Sequence, residues 1–152
     1  MPQPTEEEAV ASTDEVRAKV RRILQNKLGN VKTQGDDFFV RHGSTGCRLT
    51  FHEVDRVNLV NLSSPILFEV PLTPALYEEV ARRTGKFRFG SICLREEKGK
   101  GNLFFEGALI GDTLDEDELM FPLVAIVTTA DRLDDEFRPR FGGRRLEDRA
   151  AR

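Results

Sequence analysis

Hydrophobic residues recur at helical spacing near the start of the chain. Four of them fall on one face of a helix: Val16, Val20, Ile23 and Leu24. The sequence STDE at residues 12–15 matches a capping box, in which the Ser12 side chain accepts from the amide of Glu15. Gly29 follows, and glycine is common just past a helix end. The pattern therefore predicts a first helix over residues 13–28.

Two further helices are predicted farther along the chain. In LTPALYEEVARRTG, Thr73 serves as the cap, the proline after it suits the first helical position, and Gly85 ends the helix. The third helix is expected to begin at Thr113, because TLDE matches a second capping box, and to run to about Phe137.

Between the helices the hydrophobic period changes to the alternation typical of strands. Two runs around a Gly-Ser-Thr-Gly link predict a hairpin, since the apolar residues of each run share one face: Phe38 and Val40, then Cys47, Leu49 and Phe51. A third strand follows in VNLVNLSSPILFEVP. Proline cannot donate to a ladder, so Pro65 marks a bulge or a sheet edge within it. KFRFGSICLREE and NLFFEGALIGD, joined by the turn KGKG, predict a second hairpin.

The predicted element order is α-β-β-β-α-β-β-α. Hairpins imply a mainly antiparallel sheet with helices covering it, so we expect a single α+β domain with a twisted antiparallel sheet of about five strands. The domain should span residues 12–137. Residues 1–11, with two prolines and three successive glutamates, are expected to form a disordered lead, and the arginine-rich residues 138–152 a mobile tail.

Composition narrows the class of protein. The chain of 152 residues is 39% hydrophobic and 32% charged, with a net charge of −3, which suits one globular domain with its own core. The near-balance of charge gives no reason to expect nucleic acid or an anionic membrane as a partner. No apolar run approaches the ~20 residues of a spanning helix, and the acidic N-terminus lacks the features of a signal peptide. We expect a cytoplasmic protein.

The acidic stretch GDTLDEDEL, residues 111–119, is the strongest candidate for chemistry. Acidic residues in a first helical turn are stabilised by the positive end of the helix dipole, which explains them without a ligand. The stretch lacks the spacing of a calcium loop, and neither His42 nor His52 stands at ligand-like spacing from it. We interpret it as a helix start and expect no metal, no cofactor and no catalytic residues; a metal site and acid–base catalysis are the less favoured alternatives.

Residues 119–127, LMFPLVAIV, are apolar at every position. A helix that covers a sheet with one stripe needs fewer apolar residues than this. The stripe assigned to the sheet comprises Leu119, Leu123, Ile126 and Ala130. Two explanations for the remaining residues stay open: the helix is buried all round within the domain, or a second face packs on a partner. Pro122 lies inside the predicted helix and is expected to kink it.

The order of elements resembles the type III secretion chaperone-like fold, and especially its YbjN-type branch of small bacterial proteins. The resemblance covers roughly residues 12–137 and consists of matching elements, not signature motifs. The segments that carry it are STDEVRAKVRRILQNKLG, DFFVRHG, CRLTFHEV, ILFEVPLT, SICLREEKGKGNLFFEGALI and LDEDELMFPLVAIVTTADRLDDEF.

This resemblance implies a function without catalysis. Such proteins act as homodimers that hold an extended segment of a client protein on apolar surface. We therefore expect a non-enzymatic peptide-binding chaperone or adaptor whose partners are a second copy and a client segment. The secretion chaperones dimerise around the middle helix, which here has only a narrow apolar stripe, so the dimer face stays open. A small ligand-binding regulatory domain with a pocket between sheet and helix is the alternative, and an enzyme with sparse chemistry is a third possibility.

Six residues form the predicted partner-binding surface: Ile66, Leu67, Phe68, Met120, Phe121 and Val124. Since Pro65 interrupts the ladder, its strand is expected near a sheet edge, with Leu67 pointing away from the core face. The three residues of the third helix lie off the stripe assigned to the sheet and are expected to border the same groove. Methionine suits a surface that adapts to several sequences. The competing explanation is that all six are core or dimer contacts.

Overall fold

Four helices are present in a computed structural model that describes residues 11–29 and 31–150. Their bounds are α1, Thr13–Leu28; α2, Pro74–Arg82; α3, Glu116–Phe141; and α4, Leu146–Ala150. The first helix has the predicted limits, and the amide of Glu15 donates to the Ser12 side chain at its N-terminus. The predicted disordered lead, residues 1–11, lies outside the described residues except for Ala11.

Six strands form one antiparallel sheet in the order β1-β2-β3-β4-β6-β5. Their bounds are β1, Lys32–Gln34; β2, Asp37–His42; β3, Thr45–Val54; β4, Val57–Pro71; β5, Ser91–Glu97; and β6, Lys100–Ile110. This confirms the predicted α+β fold with its two hairpins. The sheet has one strand more than the predicted five because the short β1 pairs with β2.

The core lies between one face of the sheet and the helices α1, α2 and α3, with Leu76 as the buried residue of α2. Helix α3 packs across β4, β3 and β6, and α1 packs on β3. The stripe predicted for α3 is confirmed, since each of its residues is at most 1% exposed: Leu119, Leu123, Ile126 and Ala130. Burial of such side chains is the main contribution that holds α3 on the sheet.

The third predicted strand is not at an edge of the sheet. Strand β4 pairs with β3 on one side and with β6 on the other. The register between β4 and β6 shifts twice, between Pro65 and Leu67 and again between Leu67 and Val70. The bulge expected at Pro65 is therefore present. The shift also turns Leu67 into the core, where it is 0% exposed, so the expectation that Leu67 points away from the core was wrong.

The acidic stretch starts α3, but two residues later than predicted. Asp115 is the N-cap, and its carboxylate accepts from the amide of Glu118 at 2.8 Å. The Glu118 carboxylate in turn accepts from the amide of Asp115 at 3.0 Å. Thr113 belongs to the preceding turn, which the amide of Leu114 closes by donating to the carbonyl of Gly111. Leu114 is buried, and this fixes the turn ahead of the helix.

Helix α3 ends at Phe141 and not near Phe137, and Gly142 with φ 79° caps its C-terminus. The residues beyond it do not extend away from the domain as the predicted tail would. Arg144 forms a β-bridge to Phe68 of β4, and α4 packs on β3 and β4. Burial of Phe137 and partial burial of Phe141 carry the helix past the predicted boundary.

The cap assignment can be tested with two matched variants. Asp115→Ala should lower the free energy of unfolding by about 0.5–2 kcal/mol, the usual cost of a lost N-cap side chain. Thr113→Ala should change it by less than about 0.5 kcal/mol, as for an ordinary surface substitution. Urea denaturation followed by circular dichroism measures both. An equal loss in the two variants would contradict the assignment of Asp115 as the cap.

Candidate functional site

The apolar run of α3 is divided between two faces of the helix. Leu119 and Leu123 point into the core, whereas Phe121 is 70% exposed and Val124 is 51% exposed. The helix is therefore not buried all round, and the first of the two explanations for the run is excluded. An exposed phenylalanine beside an exposed valine is a contiguous apolar surface of the kind that marks interaction sites.

This surface forms one wall of a groove between α3 and the end of β6, which we call the α3–β6 groove. Its volume is about 1160 Å³, and it is open to solvent. The aromatic ring of Phe89, from the segment before β5, stands edge-on to Phe121 with 5.7 Å between ring centroids. The lining residues are Phe89, Ala108, Leu109, Ile110, Thr113, Leu114, Asp117, Glu118, Met120, Phe121, Pro122, Val124 and Ala125.

The floor of the α3–β6 groove lies beside an unpaired strand edge. Strand β5 starts at Ser91, which pairs with Glu106, while β6 continues to Ile110. Residues 107–110 of β6 therefore pair with β4 on one side only. The chain cannot continue β5 along this edge because it turns at Gly90, where φ is 77°. A Cβ atom at Gly90 would lie only 2.6 Å from the ring of Phe105.

The ladder geometry shows which backbone groups face outward at this edge. The amide of Gly111 donates to the carbonyl of Asn58 at 2.7 Å, so Gly111 occupies a hydrogen-bonded position opposite Asn58, although the amide of Asn58 donates to Asp112 instead. Because hydrogen-bonded positions alternate with non-hydrogen-bonded ones, Leu109 bonds to β4, whereas the N–H and C=O groups of Ala108 and Ile110 point away from it. These two residues present free donors and acceptors beside the groove.

Acidic side chains border the groove at the start of α3. Asp117 and Glu118 line it. Asp112 lies just beyond the end of β6 and accepts from both the amide and the side-chain amide of Asn58, each at 2.9 Å. The side-chain hydrogen bond from Asn58 holds the pKa of Asp112 below its usual value. This end of the groove is therefore negatively charged at neutral pH.

Comparison with the known protein families gives a match over residues 14–149. The matching family is described as T3SS (YopN, CesT) and YbjN peptide-binding chaperone 1, or TY-Chap1. The chain belongs to the TY-Chap1 family. This confirms the resemblance to type III secretion chaperones and YbjN proteins, and it extends the match beyond the expected limit at residue 137. No curated protein matches the chain.

The structure of this TY-Chap1 chain separates the six residues of the predicted partner-binding surface into two sets. Met120, Phe121 and Val124 lie together in the α3–β6 groove. Ile66 and Leu67 are fully buried in β4, and Phe68 is 8% exposed. The three residues of β4 do not border the groove, because the central position of β4 and its bulges direct them elsewhere.

Two exposed groove residues of the TY-Chap1 domain were missed in the sequence. Ile110 is 57% exposed and Phe89 is 36% exposed. A signal for both was present in the second hairpin. Counting outward from the turn pairs Ser91 with Glu106 and leaves the last four residues of β6 opposite a segment that begins with Gly90. A glycine at that register predicts a break in the shorter strand.

Within residues 11–29 and 31–150, no group of three or more His, Cys, Asp and Glu side chains is arranged to hold a metal ion. No helix in the same part of the chain has the length and apolar character needed to cross a membrane.

The division of α3 into two faces predicts different costs for neighbouring substitutions. Phe121→Ser should change the free energy of unfolding by less than about 1 kcal/mol because the ring is mostly solvated. Leu123→Ala should lower it by about 2–5 kcal/mol, the range for a large-to-small change in a core. Urea denaturation of the two variants provides the comparison. A larger loss at Phe121 than at Leu123 would reverse the assignment of the faces.

Proposed function

We propose that this TY-Chap1 protein binds an extended segment of a partner protein in the α3–β6 groove, as a strand added to the free edge of β6. The observation that carries the proposal is the presence of an open apolar groove directly beside unpaired backbone groups at Ala108 and Ile110. Edge addition of this kind combines main-chain hydrogen bonds with pockets for alternate side chains.

The free edge of β6 and the apolar wall of α3 contribute differently to recognition of the bound segment. The backbone groups of Ala108 and Ile110 bind any extended segment regardless of its sequence. Successive side chains of an added strand point to opposite faces of the sheet, so alternate residues would face α3 at Phe121 and Val124. Met120 is half-buried in the same wall, and its unbranched side chain can adjust to residues of different shape.

The charges around the groove favour a particular chemistry in the bound segment. Asp117 and Glu118 border the groove, and none of the described residues that line it is basic. A segment with apolar residues at alternate positions and a lysine or arginine near the start of α3 would therefore be preferred over an acidic one.

The proposal is tested with peptides selected from a random dodecamer display library on the purified chain. Ala108→Pro removes the outward N–H while sparing the ladder to β4, and proline is tolerated at edge positions of this kind. We expect Ala108→Pro to weaken binding of the selected peptides at least about tenfold, which corresponds to ~1.4 kcal/mol. Ala108→Ser keeps the N–H and should bind normally. Fluorescence anisotropy measures both affinities.

A second substitution tests the apolar wall. Phe121→Asp should abolish binding without loss of the circular dichroism spectrum of the fold, because the ring is not part of the core. The proposal is wrong if the selected peptides bind wild type, Ala108→Pro and Phe121→Asp chains equally. Selected peptides that lack apolar residues at alternate positions would also count against it.

We further propose that the protein acts without catalysis, in the cytoplasm, and as a homodimer. The open shape of the groove supports binding over catalysis, since it provides no closed cleft that excludes water. The homodimer is supported by the apolar side chains that α3 leaves exposed at Phe121 and Val124, since a second copy could cover them.

Light scattering at micromolar concentration tests the homodimer. The expected mass is about twice the 17.2 kDa of one chain, because a second copy would cover apolar surface of α3. A mass of one chain would reject the dimer and leave the exposed surface of α3 to the peptide alone.

A further inference from the structure

A second strand edge of the sheet is covered by the end of the chain itself. Strand β3 pairs with β4 only as far as Ser63, which lies opposite Arg48, while β4 continues to Pro71. Just beyond this point, the Thr45 hydroxyl donates to the carbonyl of Pro65 at 2.6 Å. The edge of β4 farther along, on the side that β3 leaves free, is available to another segment.

Residues 142–149, which we call the C-terminal segment, occupy this edge. The amide of Phe68 donates to the carbonyl of Arg144, and the amide of Arg144 donates to the carbonyl of Phe68, both at 2.8 Å. Phe68 and Arg144 therefore pair as two residues of an antiparallel ladder do, although here the ladder is a single bridge. The backbone contact is therefore the one that an added strand would make.

The C-terminal segment approaches β4 so closely at residue 143 that only glycine fits there. Gly143 has φ 94°, a conformation that favours glycine. A Cβ atom there would lie 2.7 Å from a methyl carbon of Val70 and 2.9 Å from the carbonyl oxygen of Phe68. A larger residue at this position would force the segment away from β4.

Two successive arginines then meet carboxylates on the domain. Arg144 pairs with Glu69 at 3.1 Å. The Nε atom of Arg145 lies 3.1 Å from Asp134, whose side chain is 0% exposed, and its guanidinium also contacts Asp135. Asp134 also accepts from the Ser44 hydroxyl. A cation beside a buried carboxylate stabilises its charged form, so this position favours a basic residue.

A third basic residue completes the contact. The guanidinium of Arg149 lies 4.0 Å from the centroid of the Phe68 ring, which is within the range of a cation–π interaction. The C-terminal segment thus combines a glycine, two arginines and a distant third arginine. Gly143, Arg144 and Arg149 contact β4, whereas Arg145 contacts two carboxylates of α3. Its own secondary structure is only the five-residue α4.

We infer that the β4 edge at Phe68 is a second peptide-binding surface, occupied in this structure by the C-terminal segment, and that its outside partner is an extended basic segment with a small residue followed by two arginines or lysines. The partner would replace the C-terminal segment on the edge. This surface is separate from the α3–β6 groove and the inference does not depend on what the groove binds.

The internal segment competes with any such partner because its tether gives it a high effective concentration. A substitution that weakens the contact of the C-terminal segment should therefore expose the β4 edge. The probe is a fluorescent synthetic peptide with the sequence FGGRRLEDRAAR, identical to residues 141–152. Its binding is measured by fluorescence anisotropy to full-length wild type and to full-length Gly143→Val, in which the added side chain would contact Val70 and Phe68.

We expect the Gly143→Val chain to bind the peptide at least about tenfold more tightly than wild type. The reason is that the C-terminal segment of the variant no longer fits the β4 edge and competes less with the peptide. Arg145→Ala should act in the same direction by removing the pair to Asp134. Arg132→Ala is the matched control, because this exposed arginine of α3 has no ion pair to the C-terminal segment among the described residues. A peptide carrying valine in place of its second glycine should bind none of these chains.

The inference is overturned if folded Gly143→Val and Arg145→Ala chains bind the peptide no more tightly than wild type.

Hydrogen exchange on the wild-type chain tests whether the C-terminal segment can leave the β4 edge, without the use of any variant. The amides of Phe68 and Arg144 should exchange by local opening, faster than those at the centre of α3. If they exchange only with global unfolding, the C-terminal segment is a permanent part of the fold and no partner can replace it. Phe121→Asp should leave peptide binding to the β4 edge unchanged.

Discussion

The packing of α3 on the sheet is the contact on which the other features depend. A helix about 10 Å across covers roughly two strands that lie about 4.8 Å apart, whereas this sheet has six. Helix α3 is centred on β4, and α1 packs on β3. On the β5 side, α2 lies beside the C-terminal half of α3, since Tyr77 donates to Glu96 of β5 and Arg83 pairs with Glu136. Beside the N-terminal half, no described residue of another helix lines the groove, so the flank of α3 with Phe121 and Val124 overhangs the sheet. The α3–β6 groove is the space beneath that overhang.

Unequal strand lengths determine where the sheet is left open. Strand β6 is four residues longer than β5, and β4 is five residues longer than β3. Each longer strand runs past its neighbour and leaves backbone groups without a strand partner. At β4 the C-terminal segment fills part of the gap through Arg144. At β6, residues 107–110 have a strand partner on one side only.

The sequence predicted the elements well because their signals are local. Helical spacing placed Leu119, Leu123 and Ile126 in the core, and alternation placed both hairpins. It failed for Leu67, since a bulge changes which face a side chain occupies and the strand that induces the bulge is distant in the sequence. It also assigned the cap to the box at residues 113–116, whereas α3 uses the overlapping box at residues 115–118. Burial of Leu114 decides between them, and burial depends on the assembled domain.

The same dependence on distant parts of the chain explains the partial success at the candidate site. Helical phase alone set Met120, Phe121 and Val124 apart from the core stripe, and these residues lie in the groove. The opposite wall depends on where β5 stops, and Gly90 indicates that position only after β5 and β6 have been aligned from their turn. Ile110 and Phe89 are therefore visible only once the register of the second hairpin is known.

The acidic start of α3 has a consequence for how copies of the protein meet in solution. A bare strand edge is a template for uncontrolled pairing between identical chains, and charged residues near the edge are one means by which proteins oppose this. Asp117 and Glu118 lie beside the free edge of β6. Two copies joined through those edges would bring both sets of carboxylates together, at a cost in electrostatic repulsion. The acidic residues at the start of α3 therefore also oppose aggregation through the free edge of β6.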